Sequence, residues 1–145
     1  AYTNWARPIM VEDVDALTPY TPEANIFNMV DALGKRDGKV ALNLLRQLIE
    51  EGDEPLRIFG MIIRQYRLLL QMREQLDGGS SVRQAGQTLG MKDYPAQKVG
   101  EQAKQYTLAQ LDRVYHLLLE TDMSIKTGQQ DPSIALEMLV ARRAR

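Results

Sequence analysis

Residues 55–76 read PLRIFGMIIRQYRLLLQMREQL, and this stretch decides the fold. Several of its polar side chains fall on one narrow helical stripe: Arg57, Arg64, Arg67, Gln71 and Glu74. Most of the other positions are Leu, Ile, Phe, Met or Tyr. A helix that is apolar around most of its circumference is surrounded by other helices. Because Pro55 suits a first turn and Asp77-Gly78-Gly79 ends the pattern, we predict a central helix from Pro55 to about Leu76.

Helical periodicity continues on both sides of this stretch, and no segment alternates between apolar and polar residues as a half-buried strand does. Two capping boxes, Ser81 with Gln84 and Thr107 with Gln110, mark helix starts. Further helices are predicted at about Ile26–Leu33, Gly38–Glu50, Ser81–Gly90, Tyr94–Tyr106, Thr107–Lys126 and Pro132–Ala141. The first should end at Gly34 in a C′ position. We therefore expect an all-α fold, a single bundle of about six to seven helices.

Two of these helices have a clear inner face. The second helix, at about Gly38–Glu50, is expected to bury an apolar stripe of Val40, Ala41, Leu44, Leu45 and Leu48. The long helix near the end of the chain predicts an inner face of Leu108, Leu111, Tyr115, Leu118 and Ile125.

The first 25 residues are irregular, with prolines at 8, 19 and 22. One short helix is expected at Val11–Leu17, and residues 18–22 (TPYTP) are typical of a linker because proline restricts both itself and the residue before it. We therefore predict a boundary there, with residues 1–20 belonging to the end of a preceding domain and residues 21–145 forming the helical domain. The chain begins at Ala1 without an initiator Met, which suits a fragment of a longer protein.

The composition limits the classes of function. The chain has 145 residues, 18 Lys and Arg against 19 Asp and Glu, and a net charge of −1, without the basic excess typical of proteins that bind duplex DNA by phosphate neutralisation alone. It has no cysteine, which excludes disulfides and thiolate metal sites and suits a cytoplasmic location. No apolar run reaches the roughly 18 residues that a membrane span needs.

Residues with reactive chemistry are few and scattered. The sequence has no phosphate-binding loop, and its one histidine, His116, has no second His or Cys nearby to complete a metal site. The neighbouring acids Glu50-Glu51 sit at a solvated helix end, and Asp122 is expected to form a helical ion pair with Lys126. We therefore predict no catalytic, metal or cofactor site and no intrinsic enzyme activity in this chain.

Two basic clusters remain, the stripe Arg57, Arg64 and Arg67 and the terminal group Arg142, Arg143 and Arg145. A solvated helix face and a favourable charge at a helix C-terminus are the structural interpretations. A partner surface or a phosphate-facing rim is the functional alternative, and composition leaves both open.

Five blocks in order resemble the DNA polymerase III delta subunit family of the bacterial clamp loader. NIFNMVDALGKRD (25–37) is similar to the family pattern N-I-F-x-L-x-D-A-L-x-x-[KR]-D, and PLRIFGMIIRQYRLL (55–69) to P-L-x-I-L-x-M-I-x-R-Q-[FY]-R-x-L. Between these two blocks lies a helix with Ala41, Leu44 and Leu45 in matching positions. GMKDYP (90–95) and DMSIKTG (122–128), followed by Asp131-Pro132, match the later blocks. Residues 9–14 also resemble the end of the family's lid domain, with Met10 where the family usually has Thr.

The resemblance implies a place in an assembly. In clamp loaders, five related subunits are joined by a ring of helical C-terminal domains, the collar. The resemblance implies that this domain holds delta in that ring, beside a gamma or tau subunit on one side and delta prime on the other. The resemblance therefore implies a bundle of the collar type, preceded by the end of a lid-type domain. The sliding clamp would be bound only through an N-terminal domain that this chain lacks, and primer-template DNA weakly or only within the complex. Candidate partner contacts are Phe27, Arg57, Arg64, Tyr66 and Arg67, and candidate DNA contacts are Lys126 and Gln129.

Three alternatives remain open at this point. One is the collar domain of another clamp-loader-like protein, such as delta prime, gamma or tau, or a related AAA+ ATPase. A second is a stand-alone helical protein that binds nucleic acid, which predicts salt-sensitive DNA affinity. A third is an enzyme with an unrecognised site, which a deep pocket with two shifted carboxylates would support.

Overall fold

A computed structural model of the chain describes residues 20–143, with side chains to residue 142. This range contains seven α-helices and no strand, which confirms the predicted all-α bundle. The helices are α1 (Pro22–Gly34), α2 (Gly38–Glu50), α3 (Pro55–Asp77), α4 (Val82–Thr88), α5 (Asp93–Ala103), α6 (Leu108–Lys126) and α7 (Pro132–Arg143). The predicted helix Val11–Leu17 and most of the predicted linker lie outside the described residues. None of the seven helices is long and apolar enough to cross a bilayer.

Helix α3 is the centre of the bundle, as its apolar circumference predicts. Helices α1, α4, α5, α6 and α7 all pack against it, while α2 packs between α1 and α7. Its fully buried side chains form the middle of the core: Ile58, Phe59, Ile62, Tyr66, Leu69 and Met72. Only the stripe that carries Arg57, Gly60, Arg64, Arg67 and Gln71 remains exposed. The structure therefore leaves one face of α3 open between α1 and α6.

Side-chain caps fix the helix starts where the sequence predicts them. The Ser81 and Thr107 hydroxyls accept hydrogen bonds from the backbone N–H groups of Gln84 and Gln110, and both capping boxes are complete. Asp131 caps α7 by accepting from the N–H of Ile134 at 3.1 Å. These bonds satisfy N–H groups that a helix start otherwise leaves unpaired.

Helix α1 begins earlier than predicted. The Thr21 hydroxyl accepts from the N–H of Ala24 at 3.1 Å, and Pro22 occupies the first turn. The prediction assigned these two residues to a linker because proline also occurs in extended chain. A proline preceded by a capping residue instead starts a helix, since its missing N–H is not needed there.

The predicted C′ role of Gly34 is wrong. Gly34 is the last residue of α1, and the left-handed conformation is adopted by Arg36, with φ of 59°. Gly34 instead marks a close approach of α1 to Gln105 and Tyr106, because a Cβ there would lie 2.5 Å from Gln105 Oε1 and 3.0 Å from Tyr106 Cε2.

The predicted inner faces need two adjustments. Val40 was assigned to the inner stripe of α2 but is 43% exposed, because the buried line runs through Ala41, Leu45 and Leu48. On α6, Val114 is buried, whereas Tyr115 is only partly buried beside it. In both helices the predicted inner face included a residue that lies one position away from the buried stripe.

Candidate partner-binding surface

The polar side chains that most resemble reactive groups make only local helical contacts. His116 is exposed, and its Nδ1 lies 2.8 Å from the Asp112 carbonyl oxygen one turn earlier. The Asp122 carboxylate pairs with Lys126 at 2.9 Å, which confirms the predicted helical ion pair. Within residues 20–142, no three His, Asp or Glu side chains converge as metal ligands.

The most distinctive surface is a groove between α1 and α3, with a volume of about 420 Å³. We call it the basic groove and define it by its lining residues: Glu23, Ile26, Arg57, Met61, Arg64, Gln65 and Leu68. Ile26, Met61 and Leu68 supply apolar surface, and two guanidinium groups stand on the α3 side. Arg57 and Arg64 are seven residues apart, which on an α-helix is two turns, or roughly 10.5 Å. The groove thus combines an aliphatic wall with two regularly spaced cations.

The two arginines are held differently. Arg57 Nη1 donates to Asp53 Oδ1 at 2.7 Å, and the Tyr20 hydroxyl donates to the other carboxylate oxygen at 2.8 Å. Burial, and then this hydrogen bond to Asp53, raise the pKa of Tyr20 above its ordinary value. Arg64 is exposed and has no ion-pair partner within residues 20–142. Arg57 is therefore fixed by its own chain, and Arg64 is available to an external anion.

An aromatic cluster adjoins the basic groove, and we define it as Phe27, Tyr94 and Lys98. The Lys98 ammonium lies 5.3 Å from the centre of the Phe27 ring and 5.9 Å from that of Tyr94. Both distances are within the range of a cation–π interaction. Tyr94 is 73% exposed, the largest value among the exposed large hydrophobic residues of the described chain.

Two glutamines join the cluster to the groove. The buried Gln102 donates to the Phe27 carbonyl at 3.0 Å and accepts from Gln65 of the groove at 2.8 Å. A side chain on α5 therefore holds α1 and α3 in register. The basic groove and the aromatic cluster are therefore linked through Gln102.

Of the five predicted partner contacts, the structure brings Arg57, Arg64 and Phe27 together on this surface. Arg67 lies on the opposite edge of the exposed α3 stripe, where its Nε donates to the Tyr115 hydroxyl of α6 at 3.0 Å. Tyr66 is 1% exposed and its hydroxyl lies 2.8 Å from that of Tyr106. The assignment of Tyr66 to a surface contact is therefore corrected: it is a core residue.

The predicted DNA-facing residues do not line the basic groove. Lys126 ends α6 and Gln129 lies in the loop before α7, and both are exposed. The Lys126 ammonium is already paired with Asp122. Arg142 is exposed near the end of α7, while the side chains of Arg143 and Arg145 lie outside the described residues.

A second surface, not predicted from the sequence, lies on α6 and α7. Four large apolar side chains are more than two-fifths exposed there, and they form two pairs at helical spacing: Leu119 with Met123, and Ile134 with Met138. A groove of about 180 Å³ between the two helices is lined partly by Leu117, Met138 and Leu139, whereas Leu119 and Met123 do not line it and lie on another side of α6. The exposed apolar surface of the two helices therefore has two parts, one on each helix. We call this the α6–α7 face. The signal for it was the i, i+4 spacing of apolar residues outside the buried stripes.

Tyr94 and Lys98 were also missed as site residues. They too are four residues apart on one helix, which is the spacing at which side chains meet. Their approach to Phe27 depends on how α5 packs against α1, and no local pattern shows that.

Comparison with known proteins gives one consistent result. Residues 23–143 match the family described as DNA polymerase III delta subunit, C-terminal domain. The DNA polymerase III subunit delta of Bacillus subtilis (strain 168) is 26% identical over 132 residues, covering 91% of this chain and 38% of the relative. The solved DNA clamp loader delta protein of Bacillus subtilis superimposes with a TM-score of 0.85 at 25% identity, covering 94% of this chain and 40% of the other.

The chain thus spans about two-fifths of the length of these relatives. The family match covers all seven helices of the described bundle except the first residue of α1. The all-α fold, the order of the blocks and this match agree. The chain belongs to the DNA polymerase III delta subunit family of the clamp loader and corresponds to its C-terminal domain.

Proposed function

We propose that this domain is a non-catalytic assembly domain that holds the delta subunit in the pentameric collar, so that the complex can load the sliding clamp onto primed DNA. The observation that carries the proposal is that a bundle of this family has two separate surfaces suited to protein contacts. A ring member touches one neighbour on each side through different surfaces, because head-to-tail contacts close a ring. The basic groove lies on α1 and α3, and the α6–α7 face is carried by other helices.

The partners in this proposal are the gamma or tau subunit on one side and delta prime on the other. The sliding clamp would be bound by the part of the subunit that this chain does not include. Assembly would take place in the bacterial cytoplasm, where primed DNA is available. Apolar contact area would supply most of the binding free energy, at about 25 cal/mol per Å² buried, and anchors such as Arg and Tyr would supply specificity.

A secondary part of the proposal concerns DNA. Lys126 at the end of α6 and Gln129 in the loop that leads into α7 would contact the nucleic-acid backbone inside the assembled ring. The chain has a net charge of −1, so this contact would be weak in the isolated domain.

The proposal is tested by mixing the 145-residue chain with purified gamma or tau and with delta prime, and then separating the mixture by size exclusion. We expect the chain to elute with at least one of these subunits, at the mass of a defined complex. Elution of the chain at its own monomer position in every mixture would refute the assembly role.

A matched pair of variants identifies the surfaces used. Met123→Asp and Met138→Asp place a charge on the α6–α7 face, where both side chains are more than half exposed. Because exposed positions tolerate polar residues, folding should be unaffected while co-elution with one neighbour is lost. Lys39→Asp on α2 serves as the control, since Lys39 is exposed and lies on neither surface.

A further inference from the structure

The basic groove has a pattern of charge that specifies more than a general partner surface. Arg64 and Lys98 are exposed cations without an acidic partner within residues 20–142. Arg57 stands two helical turns before Arg64 and is pre-oriented by Asp53, whose side chain is only 12% exposed. Glu23 is the one acid among the lining residues of the groove. The lining of the groove therefore presents two cations, one of them paired with Asp53, against one acid, and Lys98 adds a third cation in the aromatic cluster.

Apolar side chains alternate with the two arginines along α3. Met61 is half-buried and sits one turn after Arg57, while Leu68 is half-buried and sits one turn after Arg64. Together with Ile26 on α1, they form a strip that runs parallel to α3. A ligand that fits must present aliphatic side chains in a line, with anions at a spacing of about two turns.

We propose that the basic groove receives a helix of a neighbouring subunit that carries two carboxylates seven residues apart, with aliphatic side chains between them. An amphipathic helix laid along a groove presents side chains at i, i+3, i+4 and i+7, which matches the two-turn spacing of Arg57 and Arg64. Arginine forms bidentate pairs with carboxylates, so Arg64 fixes the position of one acid. Arg57 donates to Asp53 through Nη1 and has its other N–H groups for the second acid. This inference rests on the proposed function, because it specifies the partner segment of the assembly domain.

The aromatic cluster and Glu23 offer further contacts for that helix. Tyr94 projects from α5 next to the groove, and its exposed ring offers a rigid, amphipathic anchor at one end only. Glu23 near the start of α1 repels an acid at the position that it faces and accepts a base there. Glu23 therefore favours a partner helix with a basic or neutral side chain at the position that faces it.

The test uses the full-length delta subunit and measures its affinity for purified gamma or tau and for delta prime by calorimetry. Arg64→Glu should weaken binding to one of these subunits at least tenfold, which is about 1.4 kcal/mol. Arg46→Glu is the matched control, because Arg46 is an exposed arginine on α2 outside the groove. The affinity of this control variant should stay within twofold of wild type. Raising the salt concentration should weaken the partner affinity of the wild type more than that of the Arg64→Met variant. Salt screens the attraction between Arg64 and a partner carboxylate, and the variant lacks that attraction.

A second measurement identifies the occupant. A photo-reactive benzoyl-phenylalanine in place of Leu68 should cross-link to a helical segment of the partner, and mass spectrometry should find Asp or Glu at positions seven apart within it. A cross-linked segment without such a pair of acids would overturn the inference. So would wild-type affinity in Arg64→Glu, or an effect of this variant confined to binding of primed DNA.

The outcomes distinguish the assembly role from the groove assignment. If the wild-type subunit binds neither gamma or tau nor delta prime, the assembly role and the groove assignment are both refuted. If the wild type binds and Arg64→Glu binds equally well, the assembly role stands and the groove assignment alone is refuted. Thermal unfolding of each variant confirms that a loss of affinity is not a loss of fold.

Discussion

The packing of α4 on α5 offers a quantitative test of the fold. Gly86 is buried on α4 and faces Ala96 of α5, and a Cβ added at Gly86 would lie 2.5 Å from the Ala96 Cβ. Carbon atoms in contact prefer separations of about 3.5–4.0 Å, so the two helices must move apart by roughly 1 Å. Overpacking of this kind costs about 1–3 kcal/mol, while alanine gains about 1 kcal/mol over glycine in helix propensity. Gly86→Ala should therefore destabilise the domain by about 0–2 kcal/mol and leave it about 1–3 kcal/mol less stable than a glycine-to-alanine change without a clash.

The assay is urea unfolding of the 145-residue chain, followed by circular dichroism. Gly60→Ala is the matched control, because Gly60 lies within α3 and a Cβ there would meet nothing within 4 Å. This control should stabilise the domain by about 1 kcal/mol. In the double variant Gly86→Ala with Ala96→Gly the clash disappears, so the stability should return close to wild type. If Gly86→Ala were as stable as Gly60→Ala, the described packing of α4 on α5 would be wrong.

Three further predictions concern a cap, a titration and a surface charge. Thr107→Ala removes the acceptor that starts α6 and should lower the free energy of unfolding by about 1 kcal/mol in the same urea assay, and an unchanged midpoint would contradict the capping role. The pKa of Tyr20 is raised on folding, so its contribution to stability is fully present below its unfolded pKa of about 10 and is lost as the pH rises above that value. The stability difference between wild type and Tyr20→Phe should therefore shrink between pH 9 and pH 11, and a constant difference would show that the phenol is not held in its neutral form. Lys126→Glu should slow DNA-dependent clamp loading by the intact complex, and the slope of the log of its DNA affinity against log salt should become shallower by about 0.9. Equal loading by this variant and by the control Lys39→Glu at every salt concentration would exclude the contact.

Much of the fold could be predicted from the sequence because its signals are local. Capping boxes, first-turn prolines and the long apolar run of α3 each depend on residues within one turn of one another. The predicted bounds of α2, α3 and α6 accordingly agree closely with the structure. The start of α1 was misplaced because Thr21-Pro22 suits both a linker and a capped helix, and only the hydrogen bond to Ala24 distinguishes them.

The surface was harder to predict because it depends on contacts between distant segments. A stripe of arginines on α3 is visible in the sequence, but the basic groove also requires α1 to lie alongside it. Tyr66 sits among predicted contact residues in the chain yet points into the core, since neighbours on a helix are separated by about 100°. Lys98 became part of the site only through its position over Phe27, which is 71 residues earlier in the chain.

The central claim is that this domain is what holds the subunit in the clamp loader. Native mass spectrometry of the complex reconstituted with a full-length delta subunit, compared with one lacking residues 21–145, measures this directly. The account predicts a five-subunit complex with the intact subunit. It also predicts a complex without delta when the domain is removed, although the truncated subunit should still bind the sliding clamp. A complete complex formed without these residues would contradict the account.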